Sequence, residues 1–207
     1  MPGLVPGISI HLAKWCHRNR DCRVKPGNDK LHPMSERFCE VSMRVNGEDV
    51  SERVEARKTL VDFLRDDLGL TGSHIGCEQG VCGACTVLLD GDVVRGCLVL
   101  VPQCEGAEVQ TIEGLSDSGA IADLQDAFAR RNALQCGFCT PGMLIGAEAL
   151  LAQGGLNGGV PSRDAIREHI SGNYCRCTGY QAIVDAIEST AQTRAQRREQ
   201  ARAGKAG

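Results

Sequence analysis

Eight of the twelve cysteines in this 207-residue chain fall into two quartets, and their spacing limits what the chain can fold around. The first is Cys77-x4-Cys82-x2-Cys85, with Cys97 beyond the next expected hairpin. Its loop also carries Gly76, Gly80 and Gly83. This is the plant-type 2Fe–2S spacing, C-x4-C-x2-C and a distant fourth cysteine. Each iron of such a cluster needs tetrahedral sulfur ligation, with two cysteinates joining two bridging sulfides. Glycine allows the unusual backbone angles and close approach that wrapping a cluster demands. Backbone N–H groups facing the sulfurs stabilise the anionic group. Structural zinc usually takes two close cysteine pairs instead, so the first quartet reads as an iron–sulfur site.

The second quartet is Cys136-x2-Cys139 and Cys175-x-Cys177, with 35 residues between the pairs. Each pair precedes an expected helix. Two helix N-termini therefore point at one place, and their dipoles favour a thiolate cluster. A lone C-x-x-C also suits a redox pair or half a zinc site. On spacing alone, zinc and iron–sulfur stay equally open for this quartet.

So many cysteines also raise the question of a secreted disulfide framework. Met1 to Ile10 is only mildly apolar, and Lys14, Arg18 and Arg20 follow that stretch instead of preceding it. That order is not a signal peptide's. A chain of this length also builds a core without staples. The reading is an intracellular, cytoplasmic metalloprotein. Twenty-three Lys and Arg against 26 Asp and Glu give a net charge of −3, and only seven residues are aromatic. Neither feature suits a nucleic-acid surface, and no apolar run approaches the ~18 residues of a membrane span.

Residues 1–37, rich in proline and without period, read as a disordered extension, with Met34 a candidate true start. Cys16 and Cys22, near His11 and His17, match no usual zinc spacing. Val41, Met43 and Val45 alternate before Asn46-Gly47, a strong hairpin signal. Thr59 is an expected cap for a helix bearing Leu60, Phe63, Leu64 and Leu68. Thr86–Leu89, the Asp90-Gly91 turn and Val93 onward predict a second hairpin. Leu98–Val101 and Val109–Ile112 read as short strands. After Gly114 the period becomes helical, and four helices are expected. The first carries Leu124 and Phe128, the second starts at Thr140-Pro141, the third at Pro161-Ser162, and the fourth is capped by Thr178. From Gln192 the sequence loses its apolar face and reads as a frayed basic tail. The fold class is α+β, with a small sheet-and-helix domain over 38–114, an all-α domain over 115–191 and a flexible tail over 192–207.

The stretch Gly76-Cys77-Glu78-Gln79-Gly80-Val81-Cys82-Gly83-Ala84-Cys85-Thr86-Val87 resembles the first cluster loop of the molybdenum hydroxylase (xanthine oxidase) family. The stretches Gln135 to Gly142 and Gly172 to Tyr180 resemble its second cluster motifs. The resemblance runs from about Val41 to Ile187 and is to the separate small iron–sulfur subunit, as in aerobic carbon monoxide dehydrogenase. It implies a β-grasp domain followed by a four-helix bundle, each holding one 2Fe–2S cluster. The ligands are then Cys77, Cys82, Cys85 and Cys97 in the first domain, and Cys136, Cys139, Cys175 and Cys177 in the second. It implies a large partner subunit with molybdopterin, in the cytosine dinucleotide form, and a medium subunit with FAD. It further implies contact of Gln135 and Cys177 with the pterin, assembly as a dimer of heterotrimers, and no catalytic residue on this chain. A free-standing two-domain ferredoxin and a zinc-stabilised interaction module are the competing readings.

Overall fold

The computed structural model describes residues 37–152 and 159–204. The expected extension, with Cys16 and Cys22, and most of the Gly154–Gly159 loop lie outside the described residues. β1 (Phe38–Val45) buries Val41, Met43 and Val45 and exposes the residues between them, the period of two of a half-buried strand. Asn46 and Gly47 take φ 54° and 87°, the paired positive angles of a tight hairpin turn. β2 (Glu48–Glu55) returns antiparallel, with Val45 opposite Glu48 and Phe38 opposite Glu55. Thr59 caps α1 (Leu60–Asp62), its hydroxyl oxygen accepting the Asp62 N–H. The chain continues as a π-type turn over Phe63–Asp67.

β3 (Thr86–Leu89), β4 (Asp92–Arg95) and β5 (Glu108–Gln110) complete a mixed sheet of order β2-β1-β5-β3-β4. β1 and β5 run parallel, and the other neighbours are antiparallel. Leu60, Phe63 and Leu64 pack on Val41, Met43, Val45, Val87 and Val109 in one core. The cluster loop is slung between α1 and β3, so both its ends are fixed by buried elements.

Two expected strands come out differently. Leu98–Val101 gives way to 3-10 turns over Gly96–Leu98 and Val101–Cys104, leaving a single bridge between Thr59 and Leu100. Pro102 lacks the N–H a ladder needs, and Leu98 points to solvent. The run Val109–Ile112 stops as a strand at Gln110, because Asn46 reaches across from the hairpin turn. Its side-chain oxygen accepts the Thr111 N–H at 2.8 Å, and its amide donates to Thr111 Oγ1 at 3.0 Å. Ile112 instead opens α2 (Ile112–Asp117), which contains Gly114.

Among the described residues five helices follow β5, against the four expected. They are α2, α3 (Ala122–Arg130), α4 (Thr140–Ala152), α5 (Arg163–His169) and α6 (Gln181–Ala203). Ser162 caps α5 by accepting the Ala165 N–H. Leu124, Phe128, Met143, Leu150, Ile166, Ile183 and Ile187 fill the core, and Leu88 of β3 joins it. The helices therefore pack directly on the sheet. Residues 192–203, expected to fray, continue α6 as a largely exposed helix. Arg194 anchors that extension by reaching Asp123 on α3 at 2.7 Å and Glu148 on α4 at 2.8 Å.

Glycine permits a close backbone approach between α4 and the first cysteine loop. A Cβ on Gly142 of α4 would lie 2.3 Å from the Gly83 carbonyl oxygen, whereas one on Gly146 meets only Asn173 Oδ1, at 3.6 Å. Gly142→Ala is expected to destabilise the protein by about 1–3 kcal/mol. Gly146→Ala, in the same helix, is expected to be neutral or to stabilise by up to ~1 kcal/mol. Denaturant unfolding midpoints of the two variants check this.

Candidate metal centres

The first loop turns its backbone toward sulfur. Cys77 Sγ accepts the N–H groups of Cys82 at 3.3 Å and Gln79 at 3.4 Å. These bonds, the one from Cys82 foremost, bring its thiol down to about 7, because a donor toward sulfur favours the thiolate. Cys82 contributes its own thiol beside Cys77. Deeper in the loop, burial pushes Cys85 up to about 11, with the Cys97 thiol against it. The four sulfurs thus form two neighbouring pairs, Cys77 with Cys82 and Cys85 with Cys97. A Cβ on Gly76 would stand 3.1 Å from Cys82 Sγ, so the missing side chain leaves room for the pair.

The second quartet also pairs. Cys177 Sγ lies 3.5 Å from Cys136 Sγ, and both residues are exposed. Cys139 and Cys175 form the inner pair, and burial, followed by the Cys175 thiol, pushes Cys139 up to about 12. Burial alone would raise Cys175 too, but hydrogen bonds from the Thr178 hydroxyl and amide outweigh it, and the net shift is downward. Cys139 immediately precedes α4, and Cys177 lies three residues before Tyr180 ends and α6 begins, so the structure brings the two expected helix N-termini together. Thr178 itself does not cap α6: Tyr180, at φ 69°, holds that position. The Thr178 hydroxyl is engaged by the Cys175 sulfur and the Tyr180 N–H instead.

Two pairs of sulfurs are the donor set that a two-iron cluster takes, with two cysteinates to each iron. Gln135, beside the outer pair, is exposed. The remaining described cysteines stand apart. Cys39 contacts the Val54 carbonyl on the sheet. Cys104 is fully buried, and desolvation, then the charge of Asp90, pushes it up to about 12.

The two loops interlock. The Tyr174 N–H donates to the Cys82 carbonyl at 2.8 Å. His74 Nδ1 donates to the Phe138 carbonyl at 2.7 Å, and the two rings stack with centroids 4.6 Å apart. Asn173, buried between the loops, donates to the Gly83 carbonyl at 3.1 Å and to Thr86 Oγ1 at 3.3 Å. Arg95 at the end of β4 donates to the Gly172 carbonyl at 2.8 Å and also to Thr86 Oγ1. Sequence reasoning gave no role to His74, Arg95, Thr86 or Asn173. Asn173 and Thr86 each sit inside a recognised motif, which was the signal available for those two. Arg95 carries none, being an ordinary charged residue at a strand end.

The fold and the paired thiols define an iron–sulfur protein with two cluster-binding regions. Residues 43–114 match the family described as "2Fe-2S iron-sulfur cluster binding domain", and residues 111–188 match "2Fe-2S binding domain". The chain is 50% identical over 153 residues to caffeine dehydrogenase subunit gamma of Pseudomonas sp. (strain CBB1), covering 74% of this chain and 91% of that one. It is 51% identical over 148 residues to the nicotine 6-hydroxylase small subunit of Paenarthrobacter nicotinovorans, covering 72% and 87%. The crystal structure of quinoline 2-oxidoreductase from Pseudomonas putida 86 matches with a TM-score of 0.71 at 51% identity, over 78% of this chain and 98% of that one. The chain belongs to the family of small iron–sulfur subunits of molybdenum hydroxylases.

The thiolate is the reactive form of cysteine, so cluster-free protein should sort its thiols by environment. Cys77 is expected to alkylate with a half-maximal rate near pH 7. Cys104 is expected to stay unmodified up to pH 9 until the chain is unfolded. Iodoacetamide labelling against pH, read by peptide mass spectrometry, tests both.

Proposed function

We propose that this chain is the electron-transfer subunit of a cytoplasmic molybdenum hydroxylase, a dimer of heterotrimers. Its partners are a large subunit with molybdopterin cytosine dinucleotide and a medium subunit with FAD. Cys77, Cys82, Cys85 and Cys97 hold one 2Fe–2S cluster in a β-grasp domain over 38–114. Cys136, Cys139, Cys175 and Cys177 hold the other in a helical-bundle domain over 115–191. When bound, the clusters supply one-electron transfer from the molybdopterin centre, first through the helical-domain site and then the sheet-domain site, to FAD.

The observation that carries this reading is the hydrogen bond from the Tyr174 N–H to the Cys82 carbonyl. It joins a ligand of the first quartet to the residue next to Cys175, a ligand of the second. The two sites are thereby connected through backbone and one hydrogen bond. The residues of this chain fix that separation and exclude water from the seam, with Asn173 and Thr86 buried there. At the other edge Cys136 and Cys177 are exposed, and with Gln135 they form the surface offered to the pterin. The sulfur pairing and the N–H donors on Cys77 support cluster binding in the first loop. Substrate selection falls to the large subunit.

Full-length protein reconstituted with iron and sulfide should carry about four irons and four sulfides per chain, with two EPR signals on reduction. Cys77→Ser should remove the first signal and about half the iron while the second signal persists. Cys136→Ser should do the reverse. Stoichiometric zinc in the second quartet, or one signal from the unmodified chain, would refute the assignment.

A further inference from the structure

Cys175 sits in a closed ring of hydrogen bonds. Its N–H donates to the Tyr180 hydroxyl at 2.8 Å. The Tyr180 N–H donates to Thr178 Oγ1 at 3.2 Å. Thr178 Oγ1 in turn lies 3.0 Å from Cys175 Sγ. A ligating thiolate has no proton to give, so in this last contact the Thr178 hydroxyl is the donor. The Tyr180 N–H occupies a lone pair of the same oxygen and so aims its single proton at the sulfur. The Thr178 N–H reaches that sulfur as well, at 3.4 Å.

The ring is held at a conformational cost. Tyr180 takes φ 69°, an uncommon angle for a bulky residue, kept where the surroundings over-determine it. Here both its hydroxyl and its N–H serve the Cys175–Thr178 contact. Among the described residues, Cys175 is the one quartet cysteine whose sulfur takes a side-chain hydroxyl. The outer pair, Cys136 and Cys177, is exposed instead. The hydroxyl therefore distinguishes the inner pair of the second quartet from every other pair.

We propose that Thr178 is a positioning residue that sets the reduction potential of the second cluster, through its hydroxyl bond to the Cys175 thiolate. This rests on the reading that the second quartet holds a 2Fe–2S cluster. Reduction adds one electron and no proton, so the ligand sulfurs become more electron-rich. A donor to sulfur stabilises the reduced state more than the oxidised one and raises the potential. Among the described residues the first quartet's sulfurs take backbone N–H groups and no side-chain hydroxyl, so the loss of the Thr178 hydroxyl acts on one cluster. Removing the hydroxyl makes the second cluster harder to reduce.

The test uses the full-length chain reconstituted with iron and sulfide, titrated with dithionite and followed by EPR. Thr178→Val is expected to lower the midpoint of the second signal by about tenfold in the reduction equilibrium, equivalent to 59 mV for one electron. The first signal should keep its midpoint, and Thr178→Ser should restore the second. An unchanged midpoint in Thr178→Val, or an equal shift of both signals, overturns the proposal. If the valine variant does not retain the second cluster, Thr178→Ala is read in its place. Loss of that cluster from both, with Thr178→Ser retaining it, would assign the hydroxyl to loop assembly and overturn the tuning role. If the unmodified chain takes up only half the expected iron, the underlying reading falls, and this inference with it.

Discussion

The carbonyl oxygen of Gly83 is the point on which the two cysteine loops depend. It accepts the Thr86 hydroxyl at 2.6 Å and the Asn173 amide at 3.1 Å, and α4 presses against it through Gly142. An unpaired buried carbonyl costs on the order of 1–3 kcal/mol, so these partners are not interchangeable with water. Gly83 lies between Cys82 and Cys85, while Asn173 lies two residues before Cys175. The same few bonds that satisfy the first loop therefore set where the second begins. Thr86 completes the arrangement by accepting from both Arg95 and Asn173 while its own proton goes to Gly83.

Such a seam explains why the helices pack directly on the sheet instead of meeting it across a linker. Leu88 belongs to a strand, yet it packs among the helices. Asn46, in the first hairpin turn, closes the last strand by binding Thr111 and packs so closely on α2 that a Cβ on Gly114 would lie 2.4 Å from its side-chain oxygen. The change from strand to helix is thus enforced by a residue 65 positions earlier in the chain. Tuning and positioning then act on a rigid frame, where a single hydroxyl beside one sulfur has a defined geometry.

The grouping of eight cysteines into two quartets was legible because loops present thiols at short, fixed spacings, and in the first loop glycines accompany them. The β1–β2 hairpin and the Thr59 cap were legible for similar local reasons, since each depends on two or three adjacent residues. Leu98–Val101 misled because an apolar run carries no record of which face it buries, and Pro102 settles the matter one residue beyond it. Thr178 misled because a threonine before a helix looks the same whether its oxygen caps the backbone or meets a sulfur. Arg95 and His74 were invisible, since their partners lie 77 and 64 residues away. The helical course of residues 192–203 was hidden because no apolar stripe supports it. An ion pair does so instead.

That ion pair has a consequence for where this protein ends as a folding unit. The recognised cluster-binding region stops at residue 188, but Arg194 beyond it is the cation between Asp123 and Glu148, and it holds the Asp123 carboxyl below the usual carboxylate range. A chain trimmed to the recognisable domain would leave two half-sequestered carboxylates facing each other with no counter-charge. Boundaries drawn from similarity would thus cut through an electrostatic knot that ties three helices together, and the last turns of α6 belong to the bundle although nothing in the family pattern asks for them.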